Sequence, residues 1–548
     1  MLQRQLSWWE TGVIYQIYPR SFADSDGDGV GDLPGVVSKL DYLEWLGVDA
    51  IWLSPFYPSP MADFGYDIAD HCDVDPMFGT LADFDEILEG AHRRGIRVII
   101  DFVPNHTSDE HPWFVESRSA RDNPKRDWYV WRDAGPDGGP PNNWESIFGG
   151  GSSWTWDGQT GQYYLHTFHS KQPVLNCHNP EVRRAMYDAM RFWLDRGVDG
   201  FRIDALPYVA HDRELRDEPL NPEWRPEDPP SQRRLRIHSE DQPEVLDVVR
   251  DMRAVADEYE GERLLIGEAY LPLERLMRYY GDELDGLHMP FNFGLVQLPE
   301  WEASTVEALV DRYETALPEG GGSNWVLGNH DNPRLATRLG HSGARTAQML
   351  LLTLRGSPTC YYGDEIDMRD AEIPPEMTRD PQGIERPDYN RDPARTPMQW
   401  SSSSTAGFCS PEVEPWLPLP EHERANVEAQ KDDPRSMLAL FRRLIQLRHE
   451  SPALGGGSYH PVNVAEDPVF AYLRKSGEHR VLAVFNLGAE RETLDFSGAG
   501  RRGEVLCSTH MDRAGEIDLR SVEARPDEGI LVALNPGDRR ESTAGPGG

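Results

Sequence analysis

Gly197-Val-Asp-Gly-Phe-Arg-Ile-Asp-Ala205 is the stretch on which the fold turns. It reads as a short strand. Val198, Phe201 and Ile203 supply its buried side chains, and Arg202 and Asp204 load its last turn with charge. A helical pattern from Pro180 through Met190 and Trp193 precedes it, and polar, proline-rich sequence follows. A strand that leaves a helix and ends on an arginine and a carboxylate suggests an α/β site at the strand's C-terminal end. On its own the stretch fits a structural ion pair equally well, and the other carboxylates of the chain decide between the two.

Working outward, strand-like runs recur with helical patterns between them. They are Gly12–Pro19, Val48–Pro55, Arg97–Asn105, the opening stretch, Leu264–Tyr270, a run near Leu287–Leu295, Asn324–Asp331 and a run near Ser357–Glu365. Strands alternating with helices imply parallel pairing through right-handed crossovers, and eight is the number that closes a (β/α)8 barrel. Asp101, His106, Arg202, Asp204, Glu268, His330 and Asp331 all fall at or just past strand ends, on the face where barrel active sites lie. Four carboxylates gathered in one low-dielectric mouth repel one another, which argues against a purely structural role for all of them.

Three segments interrupt the alternation. Residues 107–173 are rich in Gly, Pro, Trp and Tyr and too long for a barrel loop, so they read as a domain inserted after strand three. Leu206 to Glu244 reads as a long loop beside the site, and Glu372 to Arg435 as another. Asp433-Pro434 is then expected to open a helix, Asp as N-cap and Pro at the first position, with Met437, Leu440, Phe441, Leu444 and Leu447 along one face. After Pro452 short strands follow without helices between them, the mark of a C-terminal antiparallel β domain. The expected organisation is a barrel in two parts, 1–106 and 174–454, the insert 107–173, a C-terminal β-sandwich domain 455–536, and a disordered tail 537–548.

Composition narrows the function. The chain has 548 residues, enough to bury a large core, and 38% hydrophobic with 27% charged residues marks a globular protein. A net charge of −38 argues against nucleic acid or an anionic membrane as partner. It fits either an acidic solubilising surface or adaptation to high salt. The N-terminal residues lack an apolar run fit for a signal peptide, and no stretch approaches a membrane span. Five scattered cysteines without a Cys-x-x-Cys pair fit reduced thiols. The expectation is a cytoplasmic monomer or weak homo-oligomer.

Two constellations carry chemistry. Asp24-Ser-Asp26-Gly-Asp28-Gly-Val30-Gly-Asp32 offers an oxygen at every second position, Val30 through its carbonyl, as hard cations require. It follows an EF-hand loop for nine residues. The twelfth position is Gly35 instead of a bidentate Glu, and a strand instead of a helix is expected before it. The expected occupant is therefore a structural Ca²⁺, with Mg²⁺ as the alternative, and no organic cofactor is called for. The second constellation is Asp204 with Glu268. Cleaving an acetal between sugars needs one carboxylate at the anomeric carbon and a second to protonate the leaving oxygen. Arg202 is expected to keep Asp204 ionised, and an apolar setting to raise Glu268. Asp331 can hold ring hydroxyls and stabilise the cationic transition state, and His106 and His330 flank the same mouth.

With these residues in view the sequence resembles the α-amylase superfamily, glycoside hydrolase family 13, in its bacterial α-glucosidase and oligo-1,6-glucosidase branch. The matching stretches are Gly12–Ser21, Asp24–Asp32, Asp63-Phe-Gly-Tyr66-Asp, Asp101–His106, Gly200–Asp204, Gly267-Glu268, Asn329–Asp331 and Arg391–Trp400. The resemblance implies a TIM barrel and a retaining double displacement. Asp204 would be the nucleophile, Glu268 the acid and then the base, and Asp331 the transition-state stabiliser. Tyr66, Asp101, His106, Arg202 and His330 would shape the subsite of the cleaved glucose. Phe148 and Phe168 join them as substrate contacts. Asp63 and Arg391 match the pair that grips the non-reducing end in exo-acting members. Ala205 implies α-1,4 preference, since a Val at this position accompanies α-1,6 preference. One departure stands out. Gln172-Pro-Val174-Leu-Asn176 has Val174 where the family usually has Asp, which bears on the pocket or on contacts of the insert.

The implied activity is release of terminal α-linked glucose from short oligosaccharides or α-glucosides, with transfer to other acceptors as a side activity. A sucrose or maltose isomerase would share the same triad and intermediate. A non-catalytic transporter subunit would lack the triad and carry a membrane segment, the reverse of this sequence.

Overall fold

The computed structural model describes residues 6–148, 151–226, 228, 232–464 and 468–535. The expected tail, 537–548, lies outside them. In chain order the first strands are β1 (Ile14–Ile17), β2 (Ala50–Leu53) and β3 (Arg97–Phe102). Next come β4 (Trp131–Arg132), β5 (Trp154–Asp157) and β6 (Gln162–Leu165), and after them β7 (Gly200–Ile203), β8 (Leu264–Gly267), β9 (Met289–Pro290), β10 (Asn324–Val326) and β11 (Ser357–Tyr361). Eight of these form one parallel sheet in the order β10-β11-β1-β2-β3-β7-β8-β9, a nearly closed barrel. All eight runs read from the sequence contain a strand. The strands are shorter than the runs because residues past the ladder turn into the loops of the barrel mouth.

The period-2 alternation of each strand sorts its side chains into two layers. Ile14, Trp52, Ile99, Leu264, Ile266, Met289 and Val326 fill the barrel interior. Tyr15, Ile51, Val98, Ile100, Phe201, Ile203 and Leu265 face outward into the layer of helices. Helix Pro180–Arg196 is capped by the Asn179 side chain and closed by Gly197 at φ +106°, which aims the chain into β7.

The insert carries a three-stranded antiparallel sheet, β4-β6-β5, and a helix at Pro112–Ser119. Val174, the unusual residue, is buried with Val130, Trp144, Trp154 and Leu165 in this insert's own apolar cluster.

One expectation is corrected. The helix after the Glu372–Arg435 segment spans Met437–Glu450, and its N-cap is Ser436, whose hydroxyl accepts the Ala439 N–H. Asp433 instead accepts the Arg435 N–H in the preceding turn. Both residues suit a cap, and the apolar face starting at Met437 favours the later one.

Beyond Pro452 follow β12 (Ser458–Pro461), β13 (Val469–Ser476), β14 (His479–Asn486), β15 (Glu492–Leu494), β16 (Arg502–Ser508), β17 (Gly515–Asp518), β18 (Val522–Ala524) and β19 (Glu528–Leu534). Six of them make one antiparallel sheet, and β15 and β18 pair as a ribbon. Val469, Leu482, Leu494, Val522 and Val532 form the core between sheet and ribbon. Phe470, Tyr472 and Phe485 on the other face join the barrel's main core. The five cysteines are free thiols, and no helix among the described residues is long and apolar enough to cross a membrane.

Candidate active site

The alternation that builds the barrel also delivers the charges. Ile99 and Asp101, Gly200, Arg202 and Asp204, and Leu264, Ile266 and Glu268 follow the inward-facing parity of their strands. Toward the C-terminal ends the apolar members give way to Asp101, Arg202, Asp204 and Glu268. Register pairs Asp101 directly with Arg202. The ladder continues one bond further, with the Asp204 N–H donating to the Phe102 carbonyl (2.8 Å) and the Glu268 N–H to the Ile203 carbonyl (2.9 Å). Both carboxylates therefore sit on backbone fixed by the sheet. Gly267 lets Leu287 and Leu206 pack closely beside Glu268, since a Cβ there would stand 2.4 Å from Leu287 Cδ1 and displace it.

Arg202, buried beneath the floor, joins three carboxylates. Nη1 lies 2.5 Å from Asp101 and 2.6 Å from Asp204, and Nη2 lies 2.9 Å from Glu268. Glu268 Oε2 also accepts the Ala205 N–H at 3.2 Å. Burial dominates the titration of all three acids. It raises Asp101 to about 6 against the pull of Arg202, and Asp204 to about 7 against the same pull. It raises Glu268 to about 7, with the charge of Asp204 adding to the rise. The expected raising of Glu268 is present, but Arg202 does not hold Asp204 fully ionised, because burial outweighs the pull of its guanidinium. Asp331 goes the other way. Burial would raise it, but the charges of Arg391 and Arg395 outweigh burial and hold it well below the usual carboxylate range.

Asp331 is clamped at one oxygen by Arg391 Nη1 (3.2 Å) and Arg395 Nη2 (2.9 Å), and its other oxygen lies 3.3 Å from His330 Nε2. Gln16 Nε2 stands 2.8 Å from His330 Nδ1, so with Gln16 donating the ring proton sits on Nε2, facing Asp331 and the Tyr66 hydroxyl at 2.8 Å. Burial lowers both His330 and His106 to about 3, which leaves them neutral.

These groups open onto a cavity of about 300 Å³. Asp63, Tyr66, His106, Phe148, Phe168, Asp204, Ala205, Glu268, His330, Asp331 and Arg391 all line it. Asp101 and Arg202 do not; they lie underneath and orient the others. At one end Arg391 Nη2 bonds Asp63 at 2.8 Å, and its guanidinium lies 4.9 Å from the Phe148 ring. This bridge joins the loop after β2 to the segment after β11. Gln172 bonds Asp63 (3.0 Å) and stands 3.1 Å from His106, tying the insert to the same corner.

Sequence reasoning missed Gln172, Tyr208, Tyr270, Asn332 and Gln382 in the lining, and Asp380 and Arg395 behind it. Asp380 holds Arg391 at 2.6 Å and Arg395 donates to the His330 carbonyl at 2.8 Å. Arg395 had a signal, a second arginine in the Arg391–Trp400 motif. Asp380 had only Asp-Pro turn chemistry inside an irregular segment.

In the cation loop Asp24, Asp26 and Asp28 each present a carboxylate oxygen within 4.8 Å of the others. Asp24 also accepts the N–H groups of Gly27 (2.6 Å) and Gly29 (2.9 Å), both at positive φ, which folds the loop around the acids. Asp32 lies outside this group. Its oxygens accept the N–H groups of Ser25 (2.9 Å) and Gly35 (2.6 Å), capping helix Leu33–Val37. A single helical turn, Pro19–Phe22, stands between β1 and the loop, where a strand alone was expected. An all-oxygen, mostly anionic donor set fits a hard cation.

Comparison with known proteins identifies the family. A probable alpha-glucosidase of Rhizobium meliloti (strain 1021) is 44% identical over 513 residues, 90% of this chain and 92% of that one. An oligo-1,6-glucosidase of Parageobacillus thermoglucosidasius is 38% identical, over 96% of this chain and 99% of its own. The crystal structure of an alpha-glucosyl transfer enzyme, XgtA, superposes with a TM-score of 0.91 at 44% identity, covering 97% of this chain and all of that one. The family model of the alpha amylase catalytic domain matches residues 16–457, and the chain belongs to that family.

Proposed function

We propose that the protein is a retaining, exo-acting α-glucosidase that releases terminal α-linked glucose from short oligosaccharides or α-glucosides. α-1,4 links are preferred, and glucose is also passed to other acceptors. The observation that supports the exo reading is the Asp63–Arg391 bridge at 2.8 Å in the cavity lining, backed by Asp380.

In this reading Asp204 attacks the anomeric carbon while Glu268 gives its proton to the glycosidic oxygen, so the leaving sugar departs as an alcohol. Glu268, now ionised, takes a proton from water or an acceptor hydroxyl. That oxygen attacks the same carbon, freeing Asp204 and restoring the configuration. Asp331, held ionised by its arginines, accepts hydrogen bonds from ring hydroxyls and stabilises the oxocarbenium-like charge. Arg202 touches both reacting carboxylates and keeps them oriented.

The same reading includes a structural Ca²⁺, or Mg²⁺, held by Asp24, Asp26 and Asp28 with the Val30 carbonyl and Asp32 completing the set. It also includes a cytoplasmic location and a monomer or weak homo-oligomer. A product time course on maltose, isomaltose, sucrose and trehalose tests it. Glucose should appear from maltose with retained anomeric configuration, ahead of isomaltose. Conversion of sucrose or maltose into an isomeric disaccharide as the main product would replace this reading with an isomerase.

A further inference from the structure

A second cavity, of about 550 Å³, lies on the flank of the inserted sheet, and four arginines line it: Arg121, Arg126, Arg132 and Arg213. Asp127 is the single carboxylate among its described lining residues. On a chain of net charge −38 such a concentration of cations runs against the whole surface.

Two of the four arginines, Arg126 and Arg132, make no ion pair among the described residues. Arg126 spends its terminal nitrogens on neutral acceptors: the Ser117 carbonyl (2.9 Å), the Thr160 hydroxyl (3.0 Å) and the Gln162 amide oxygen (2.7 Å). Its guanidinium lies 3.5 Å from the centre of the Trp131 ring, and its Nε is buried without a partner. Arg132 donates to the Trp131 carbonyl at 2.7 Å and, among the described residues, makes no ion pair. Arg213 stands 3.9 Å from Glu244, and Arg121 3.0 Å from the exposed Asp133. The lining also includes His211, whose ring is 5% exposed and whose Nδ1 has no hydrogen-bond partner. The ring of His178, its neighbour, donates its Nε2–H to the His211 carbonyl at 2.9 Å. Neutral acceptors hold the guanidinium of Arg126 in place without cancelling its charge.

We propose that this cavity binds a small, multiply charged oxyanion: a phosphate group, free or carried on a sugar. Planar guanidinium forks match phosphate oxygens in paired hydrogen bonds. The volume exceeds that of the catalytic cavity and accommodates a phosphorylated monosaccharide. The site is separate from the catalytic one, though His211 follows the Leu206–Tyr208 turn whose Pro207 and Tyr208 line the catalytic cavity.

Calorimetric titration of the full chain with inorganic phosphate, glucose 6-phosphate and glucose tests the proposal, at one ionic strength set by NaCl so that simple screening is constant. Saturable binding of phosphate or glucose 6-phosphate is expected, and it should not be displaced by glucose. Binding of both compounds assigns free phosphate, and binding of glucose 6-phosphate alone assigns the sugar ester. The double variant Arg132→Ala/Arg213→Ala removes two exposed side chains. It should lose about tenfold or more in affinity, with unchanged kcat on maltose as its folding control. Should it fail to fold, Arg132→Glu serves the same purpose. No saturable binding by either compound, binding displaced by glucose, or equal affinity in the variants would overturn the proposal.

Discussion

Arg202 holds Asp101, Asp204 and Glu268 at once, and the burial of this group against its pull sets the pH behaviour of the site. With Asp204 and Glu268 both raised to about 7, the pair titrates as a unit, and its one-proton form is the one that carries a nucleophile and an acid together. Below neutrality the pair takes a second proton and loses the nucleophile; above neutrality it loses its last proton and with it the acid. The kcat/KM profile on maltose should be a bell centred near neutrality. With an activated aryl glucoside Glu268→Gln should still form the glucosyl-enzyme, and the alkaline limb of that first step should vanish. A limb that persists in Glu268→Gln would assign it to another group. Because both folded-state values lie above the unfolded ones, the neutral forms stabilise the fold at low pH and that contribution fades as pH rises through about 7. Asp204→Asn should therefore melt higher than the wild type at pH 8, by more than at pH 5, while losing nearly all turnover. A second residue-scale outcome concerns Ala205, which sits at φ +47° directly after Asp204. A β-branched side chain is strained there, at about 1–2 kcal/mol. Ala205→Val should lower the melting temperature and also narrow or reverse the preference for maltose over isomaltose, by roughly ten- to two-hundred-fold at most. An unchanged kcat/KM ratio would move linkage choice to the Leu206–Glu244 loop.

Each barrel strand was legible because its alternation obeys the barrel: apolar inside, apolar outside, and charge only at one end. β7 shows the logic, with Phe201 and Ile203 outward and Arg202 and Asp204 inward. What stayed hidden is held by contacts distant in sequence. Asp380 matters only because the fold lays it on Arg391, and Gln172 because the insert folds back over Asp63. The helix start at Met437 was misplaced because Asp433 and Ser436 both make good caps, and only the packed face of the helix selects one. The Asp24–Asp32 loop was legible from its spacing, though Asp32's bonds to Ser25 and Gly35 were not. This loop contributes no residue to the catalytic cavity. A cation there stabilises the native state by mass action. Chelation should lower the melting temperature, and added Ca²⁺ should restore it, while initial rates at moderate temperature hold. Instant, reversible loss of turnover without a thermal shift would make the ion part of the chemistry.

At the scale of the whole molecule, the C-terminal sheet is joined to the barrel by buried polar groups as well as by apolar packing. Arg474 donates to the Thr353 (2.5 Å) and Gly457 (2.8 Å) carbonyls, the Tyr472 hydroxyl meets Thr353 at 2.6 Å, and Arg345 donates to the Thr509 carbonyl at 2.7 Å. These bonds are shielded from solvent, so salt barely touches them. The surface is different. A net charge of −38 spread over one chain repels itself, and that repulsion opposes the compact state. Salt shortens the reach of such forces from about 10 Å at 0.1 M to about 3 Å at 1 M. It also weakens exposed pairs such as Arg312–Glu274 and Arg520–Asp518, but solvent screening leaves each of these little to contribute. With so large an excess of one sign, relief of repulsion outweighs loss of pairs. The melting temperature should rise as NaCl is raised from 0.1 to 2 M at fixed Ca²⁺, most steeply at the low end where the screening length changes most. A melting temperature that falls over this range would show that the surface is built on ion-pair networks instead of on tolerated excess charge.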